Sequence, residues 1–485
     1  MHIHIIAVAG TGMGALAGLL RELGHEVSGS DTTFYPPMGP ALERWGVRCF
    51  EGFRPENLEP RPDLVVVGNV CRRDNPEVAA ARSAGIEVTH IAGALQRFVL
   101  EGTTPLVIAG THGKTTTTAM TSWLLDHARL APGFLVGGLP KGFEHSFRAC
   151  RTPSLPLVGE RRSSRRPPFV IEGDEYDTAF FEKTPKFVHY GAQVAIITSI
   201  EHDHIDIYPE PEAYYDAFRT FLSRMPVHGL VVAYAGDAQV VRIVQQAARS
   251  SVVWYALCDE PTFGVAAQWQ AAPGPWSGAG QAFDLFVGGM SCGRFTLSQP
   301  GGHNLRNALG ALAATTAGFD LPLGVVASAL ATFPGVRRRQ DLLGEPRGVR
   351  VYDDFAHHPT AVRETLAALR QRHPEGRLFA VFEPRTATAC RKLHQEEYAR
   401  CFASADSVLL APLGRSGLPE SERLDVSQVI RELKQQGQNA ECFTSVDAIV
   451  RELEKQAEPG DTIALLSNGA FDGIYDKLLT ALGGT

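Results

Sequence analysis

Short apolar runs that stop at a glycine or a polar cluster recur along the chain. Leu106-Val107-Ile108-Ala109 is one of them and predicts a buried strand. Behind it, Gly110-Thr111-His112-Gly113 predicts a turn into a helix opening at Lys114. The N-terminus repeats the scheme. The run Ile3 to Ala9 leads to Gly10, Gly12 and Gly14, then to the helical pattern ALAGLLRELG and the strand EVSGSD, which closes on Ser30-Asp31. LVVVGN (64–69), NPEVAAARSAG (75–85) and IEVTHI (86–91) continue it as strand, helix and strand.

Further on, FVIEGDEYDTAFF (169–181) and VAIITSIEHDHIDIY (194–208) each begin as an apolar strand and end in carboxylates, the second also in histidines. Residues 226–300 read as a β-hairpin region, and GGHNLRNALGALAATTAGFDL (301–321) reads as a helix. After FPGVRRRQDLLG (333–344) the composition resets. VRVYDDFAHHPTAVRETLAALRQRHP (349–374), LFAVFEPR (378–385), DSVLLAP (406–412) and DTIALLSNGAFDGI (461–474) again alternate strand with helix. The predicted fold class is α/β with three domains: Rossmann-like N-terminal (1–102), central P-loop ATPase-like (103–333) and Rossmann-like C-terminal (334–485).

Strand, glycine turn and helix with a following Lys and Thr make a phosphate cradle. Backbone N–H groups and the positive helix end face one anion, Lys114 adds a cation, and the Thr115 hydroxyl suits Mg²⁺. The loop follows the short G-T-x-G-K-T form, with Ile108 where the longer P-loop begins with glycine. In a parallel α/β sheet the acid-rich strand ends of 169–181 and 194–208 share the edge where the P-loop lies, and the three sites converge on one crevice. The N-terminal glycines with Asp31 fit a ribose or uracil site, and a nicotinamide dinucleotide site competes with that reading. The arginine-rich GERRSSRRPP (159–168) reads as a solvated loop rather than an anion site, and helix capping is the plain role for Asn304.

With 485 residues and a net charge of -7, the chain is long enough for several cores and carries no general attraction for nucleic acid or anionic membrane. Its eight cysteines are scattered without metal-finger spacing, and no apolar run reaches membrane-spanning length. A cytoplasmic protein, monomer or weak homodimer, without nucleic-acid partner or membrane insertion, is expected.

The G-T-x-G-K-T loop, the acid-His strand end, the H-N-x-x-N-A helix and the D-D-x-x-H-H-P loop occur in the order found in the Mur ligase family. The chain resembles that family over essentially its whole length. These ATP-dependent ligases join amino acids or peptides to UDP-sugar precursors of the bacterial wall. Tyr35-Pro36-Pro37-Met38, EGDEYDTAFFEKTPKFVHY (172–190) and Phe382-Glu383-Pro384-Arg385 with DDFAHHP resemble a particular branch. That branch attaches the recycled tripeptide L-alanyl-γ-D-glutamyl-meso-diaminopimelate to UDP-N-acetylmuramate; addition of L-alanine is the alternative within the family.

The resemblance implies roles residue by residue. Gly110, Thr111, His112, Gly113, Lys114, Thr115 and Thr116 would hold ATP phosphates. His303, Asn304 and Asn307 would meet adenine, and Arg337 or Arg338 phosphate. Lys114, Glu172, His204 and His357 would be catalytic, with Thr115, Glu172 and His204 on Mg²⁺. Gly10, Gly12, Gly14, Ser30 and Asp31 would hold the UDP portion. Asp353, Asp354, His357 and His358 would close over ATP and peptide from the third domain, with His358 and Arg385 toward the peptide. Two departures stand out: Ala217, Phe218 and Arg219 lie where relatives carry a carbamylated lysine, with Arg219 as a substitute charge, and Ser199 replaces the usual Asn. A dehydrogenase would leave the P-loop unused, and a nucleotide switch would leave the acid-His pair unused.

Overall fold

The computed structural model describes residues 1–150, 166–415 and 417–483. Residues 159–165 of the arginine-rich stretch therefore lie outside the described residues. The first sheet is wholly parallel, in the order β3-β2-β1-β4-β5. Its strands are β1 (His2–Ile6), β2 (Glu26–Asp31), β3 (Arg48–Glu51), β4 (Leu64–Val67) and β5 (Glu87–His90). Helices α1 (Thr11–Glu22), α2 (Met38–Arg44), α3 (Pro76–Ser83) and α4 (Ile91–Leu95) connect or follow them.

A ten-stranded sheet fills the middle. Its central strand is β6 (Thr104–Ala109), which feeds α5 (Lys114–His127). The outer strands β7 (Gly133–Leu135) and β8 (Phe147–Arg148) precede β9 (Pro168–Gly173), which pairs parallel with β6. The small hairpin β10 (Asp177–Ala179) and β11 (Glu182–Pro185) stands apart as a separate ribbon. On the other side β12 (Val194–Ile197) also pairs parallel with β6, so both acid-rich strand ends share the P-loop edge, as the sequence implied.

The expected hairpin region from 226 to 300 is only half a hairpin region. β13 (Leu230–Tyr234) and β14 (Ser251–Leu257) extend the sheet in parallel, after α6 (Pro211–Arg224) and joined by α7 (Ala238–Ala247). Their unbroken apolar sequences, VVAY and VVWYAL, suit strands covered on both faces. Only β15 (Trp269–Ser277), β16 (Gly280–Val287) and β17 (Met290–Leu297) form an antiparallel meander, with one face alternating toward solvent. Helix α8 (Gly302–Phe319) packs beside α5, and α9 (Leu323–Leu330) follows.

A linker from Phe333 to Gln340 crosses to the third sheet, ordered β18-β19-β23-β20-β21-β22. It comprises β18 (Asp341–Gly344), β19 (Arg350–Asp354), β20 (Leu378–Phe382), β21 (Ser407–Leu410), β22 (Asn439–Cys442) and β23 (Thr462–Leu466). β18 alone is antiparallel to its neighbour. Helix α10 (Pro359–Arg372) starts directly behind the D-D-F-A-H-H loop, with the His358 side chain as its N-cap. Among the described residues no helix is long and apolar enough to cross a membrane.

Candidate active site

The turn after β6 is dictated by its glycines. Gly110 has φ +138°, and a Cβ there would stand 2.8 Å from the Ser199 carbonyl oxygen. Gly113 has φ +82°, and its Cβ would meet Asn307 Oδ1. Only glycine lets the backbone turn this tightly beneath α8. The loop is held from the β12 side. Ser199, in the place of the usual Asn, accepts the His112 N–H on its hydroxyl at 3.1 Å, and its carbonyl accepts the Thr111 N–H at 2.8 Å.

Lys114 and Thr115 face a chain of carboxylates. The Lys114 ammonium donates to the Gly110 carbonyl at 2.5 Å and to Glu175 Oε2 at 3.0 Å. Glu175 in turn lies 3.2 Å from His204 Nε2. Burial alone would raise the Glu175 carboxyl, but Lys114 and His204 overcome it and hold the group at about 2. His204 itself is raised by Glu175 and Asp203 in spite of its burial, and its backbone sits at φ +53°, unusual for a non-glycine. Thr115 Oγ1 donates to Glu172 Oε2 at 3.2 Å, and Gly137 N–H donates to Glu172 Oε1 at 2.5 Å. Burial, with Asp174 nearby, pushes the Glu172 carboxyl up to about 7. The expected grouping of Thr115, Glu172 and His204 thus divides in two. Thr115 and Glu172 touch each other, while His204 rests on Glu175 on the other side of Lys114. Glu175, the hinge of this arrangement, was passed over in sequence because E-G-D-E offers three acids with nothing to rank them.

The linker contributes arginines on alternate sides. Arg338 turns to the third domain, with Nε 3.1 Å from Asp353 Oδ2 and Nη2 donating to the carbonyls of Ser467 and Gly469 at 2.7 and 2.8 Å. Arg339 turns to the P-loop: its Nη2 donates to Thr115 Oγ1 at 3.2 Å, and its guanidinium lies 4.7 Å over the Phe355 ring. The arginine aimed at the cradle is therefore Arg339, one residue beyond Arg338. The same alternation separates the two aspartates at the end of β19. Asp353, which pairs with Arg338, does not line the main cavity, whereas Asp354 lines that cavity and accepts the Gln340 and Ala356 N–H groups at 2.7 and 2.8 Å. Asn304 and Asn307 are buried on the first turns of α8 beside the loop, with Asn304 donating to the Pro300 carbonyl at 2.8 Å. His303 lies 3.1 Å from Gln340 Nε2.

In the first domain Gly10 and Gly12 line the same cavity, of about 1640 Å³, as the P-loop, but the other three expected residues, Gly14, Ser30 and Asp31, do not. Gly14 lies inside α1, where a Cβ would strike the Met38 sulfur, so its smallness serves helix packing. Ser30 is fully buried and donates to Glu77 Oε2 at 2.5 Å, within a polar core that includes His4 and Asn57. Asp31 braces the glycine turn by accepting the Ala9 N–H at 2.9 Å.

The third domain reaches the cradle through several contacts. His358 packs tilted against His112, ring centroids 4.7 Å apart, with its Nδ1 3.4 Å from Glu201 Oε2; it is 6% exposed and borders the main cavity. Thr360 Oγ1 donates to Glu201 at 3.2 Å, and Thr388 Oγ1 to Asp203 at 2.8 Å. His357 borders both the main cavity and a smaller one of about 230 Å³. Arg385, Arg415, Asn468, Asp203 and Asp206 also line that smaller cavity. Burial lowers the His357 imidazole below its usual value. Arg219 is no substitute for the missing lysine. It pairs with Glu212 and Asp216 on the outer face of α6, while Phe218 is buried in the core.

Three family models together span most of the chain: "Mur ligase family, catalytic domain" at residues 2–102, "Mur ligase middle domain" at 108–315, and "Mur ligase, glutamate ligase domain" at 338–469. The UDP-N-acetylmuramate–L-alanyl-γ-D-glutamyl-meso-2,6-diaminoheptandioate ligase of Escherichia coli K12 is 38% identical over 99% of this chain and 98% of its own. A UDP-N-acetylmuramate–L-alanine ligase of a Roseiflexus species is 35% identical over 98% and 97%. The crystal structure of a murein peptide ligase from Psychrobacter arcticus superposes with a TM-score of 0.71 at 34% identity, covering 100% of this chain and 99% of that one.

Proposed function

This chain belongs to the Mur ligase family, and on that premise we propose that it is an ATP-dependent amide ligase joining L-alanyl-γ-D-glutamyl-meso-diaminopimelate to UDP-N-acetylmuramate. Residues 1–102 take the UDP-sugar, 103–333 take ATP, and 334–485 close over ATP and the peptide. The reading is carried by one observation: Lys114 and Arg339 converge on a glycine cradle whose far wall is Glu172, Glu175 and His204. A binding switch has no use for that acid-His wall, whereas transfer of a phosphoryl group to a carboxylate does.

The residues divide the work as follows. The backbone of Gly110 to Thr116 cradles the phosphates, and Lys114 leaves Glu175 to neutralise the transferring oxygens. Arg339 approaches the same oxygens from the linker. A substrate carboxylate oxygen attacks the γ-phosphorus, ADP departs, and an acyl phosphate results. The amine of the peptide then attacks the acyl carbon; phosphate leaves with the C–O electron pair, and the amine loses a proton. His357, kept neutral by burial, borders the cavity from which that amine would arrive and is the base within reach.

Magnesium fits this wall. Glu172 is a half-buried carboxylate that lines the main cavity and accepts only the Thr115 hydroxyl and the Gly137 N–H among the described residues, and its elevated value of about 7 marks a place short of positive charge. Thr115 and Glu172 would hold one such ion, with His204 and Glu175 beside it. When bound it would supply charge neutralisation on the phosphate oxygens.

The tripeptide rather than alanine is supported by the smaller cavity beyond His204, where two arginines and two aspartates meet. Diaminopimelate carries carboxylates and an ammonium to match; L-alanine has one of each. Incubation with Mg-ATP, UDP-N-acetylmuramate and the tripeptide should give the UDP-N-acetylmuramoyl-tripeptide by mass spectrometry, with one phosphate per amide. Phosphate without any amide product would favour a simple ATPase.

A further inference from the structure

The ribbon β10–β11 and the turn behind it brace the first two domains against each other. Glu182 Oε2 lies 3.0 Å from His90 Nε2, and the rings of His90 and His189 are 5.1 Å apart. His90 Nδ1 accepts the Gly93 N–H at 3.2 Å. Nε2 is therefore the nitrogen that carries the proton, and the contact to Glu182 is a directed hydrogen bond rather than a pair of ligands awaiting a metal. The Arg82 guanidinium lies 5.7 Å over both Phe180 and Phe181. The ribbon is thus gripped by the domain that would carry the UDP-sugar, although it grows from the ATP-binding one.

What this grip positions is Lys186, at the start of the turn. The residue is 8% exposed, yet it lines the main cavity together with Gly12, Lys114 and Glu172. Its Nζ is 3.3 Å from Asp174 Oδ2 and 4.1 Å above the Tyr176 ring, and Tyr176 stands 5.5 Å from the His204 ring. One carboxylate oxygen and one ring face leave donor capacity on an ammonium that carries three N–H bonds.

We propose that Lys186 receives the carboxylate of the sugar-side substrate and holds it for attack on the γ-phosphate. The inference rests on the ligase reading. That reaction brings two anions together, and Lys114 is committed to the phosphate. A second cation is needed where the first domain's substrate enters the ATP site, and Lys186 stands on that path. A lysine suits the task better than an arginine would. A point charge holds one carboxylate oxygen and leaves the other free to attack, whereas a guanidinium fork engages both.

The test compares UDP-N-acetylmuramate with UDP-N-acetylglucosamine, which lacks the lactyl carboxylate, as ligands of the full-length protein. Lys186→Met should weaken the first about tenfold or more and the second less than about twofold, because only the first offers the lysine a partner. Its kcat/KM for UDP-N-acetylmuramate should fall about 100-fold with KM for ATP unchanged. Lys186→Arg, which keeps charge and fold, should retain binding but lose kcat; an arginine variant with full kcat, or a methionine variant that weakens both nucleotides equally or neither, overturns the proposal. Wild-type protein that neither binds nor turns over UDP-N-acetylmuramate would overturn the ligase reading itself. Wild-type turnover with unaltered discrimination in Lys186→Met would overturn only the role of the lysine.

Discussion

Two neighbouring arginines in the linker have opposite duties, and their substitution separates catalysis from stability. Arg339 donates to Thr115 at the cradle, so Arg339→Ala should lower kcat by about 100-fold or more with little change in the thermal midpoint. Arg338 ties the linker to the carbonyls of Ser467 and Gly469, so Arg338→Ala should lower the midpoint and leave kcat within a few fold. Steady-state kinetics alongside thermal melts check both, and a kcat collapse in the Arg338 variant alone would reverse the assignment. Asp353 supplies a pH test. Burial, with Asp354 and Asp341 adding and Arg338 opposing, pushes its carboxyl up from 3.8 to about 6. Its burial therefore costs nothing below pH 4, and the cost grows as pH rises through 6 to about 2–3 kcal/mol. Asp353→Asn should raise the midpoint at pH 8 and leave it unchanged at pH 4; a gain of equal size at both pH values would contradict the sign. These pairs show what sequence could and could not give. R-R-R and D-D announce charge, but only the pleat of β19 and the path of the linker decide that Arg339 turns to the P-loop and Asp354 to the main cavity.

At the scale of elements, much was legible because the pattern was physical. Strand, glycine turn, lysine and hydroxyl left one interpretation for residues 105–120, and parallel pairing of β9 and β12 with β6 followed from apolar runs ending in acids. Strands β13 and β14 escaped because a buried parallel strand and a hairpin arm look alike without their partners. Ser30 escaped because the alternation along β2 turns it into the polar core around Glu77. The cradle itself gives a prediction. At Gly113, with φ +82° and Asn307 Oδ1 2.5 Å from any added Cβ, Gly113→Ala should cost about 1–3 kcal/mol and weaken ATP-analogue binding at least about tenfold by calorimetry. Unaltered binding would mean that the loop does not set the phosphate geometry.

For the molecule as a whole, the third domain is docked on the second through His358 on His112, Thr360 on Glu201, Thr388 on Asp203, and Arg306 on Glu364. An acyl phosphate needs that enclosure, since water competes with the amine. Thr360→Val with Thr388→Val should therefore raise the share of phosphate released without amide, read by comparing the two products; strict one-to-one release would argue against closure as the shield. The most direct test of the central claim is acceptor choice. Phosphate release from Mg-ATP with UDP-N-acetylmuramate should be measured with L-alanine and with L-alanyl-γ-D-glutamyl-meso-diaminopimelate, each alone and then in competition. The account predicts turnover with the tripeptide and none above background with alanine, whereas turnover with alanine alone would contradict it.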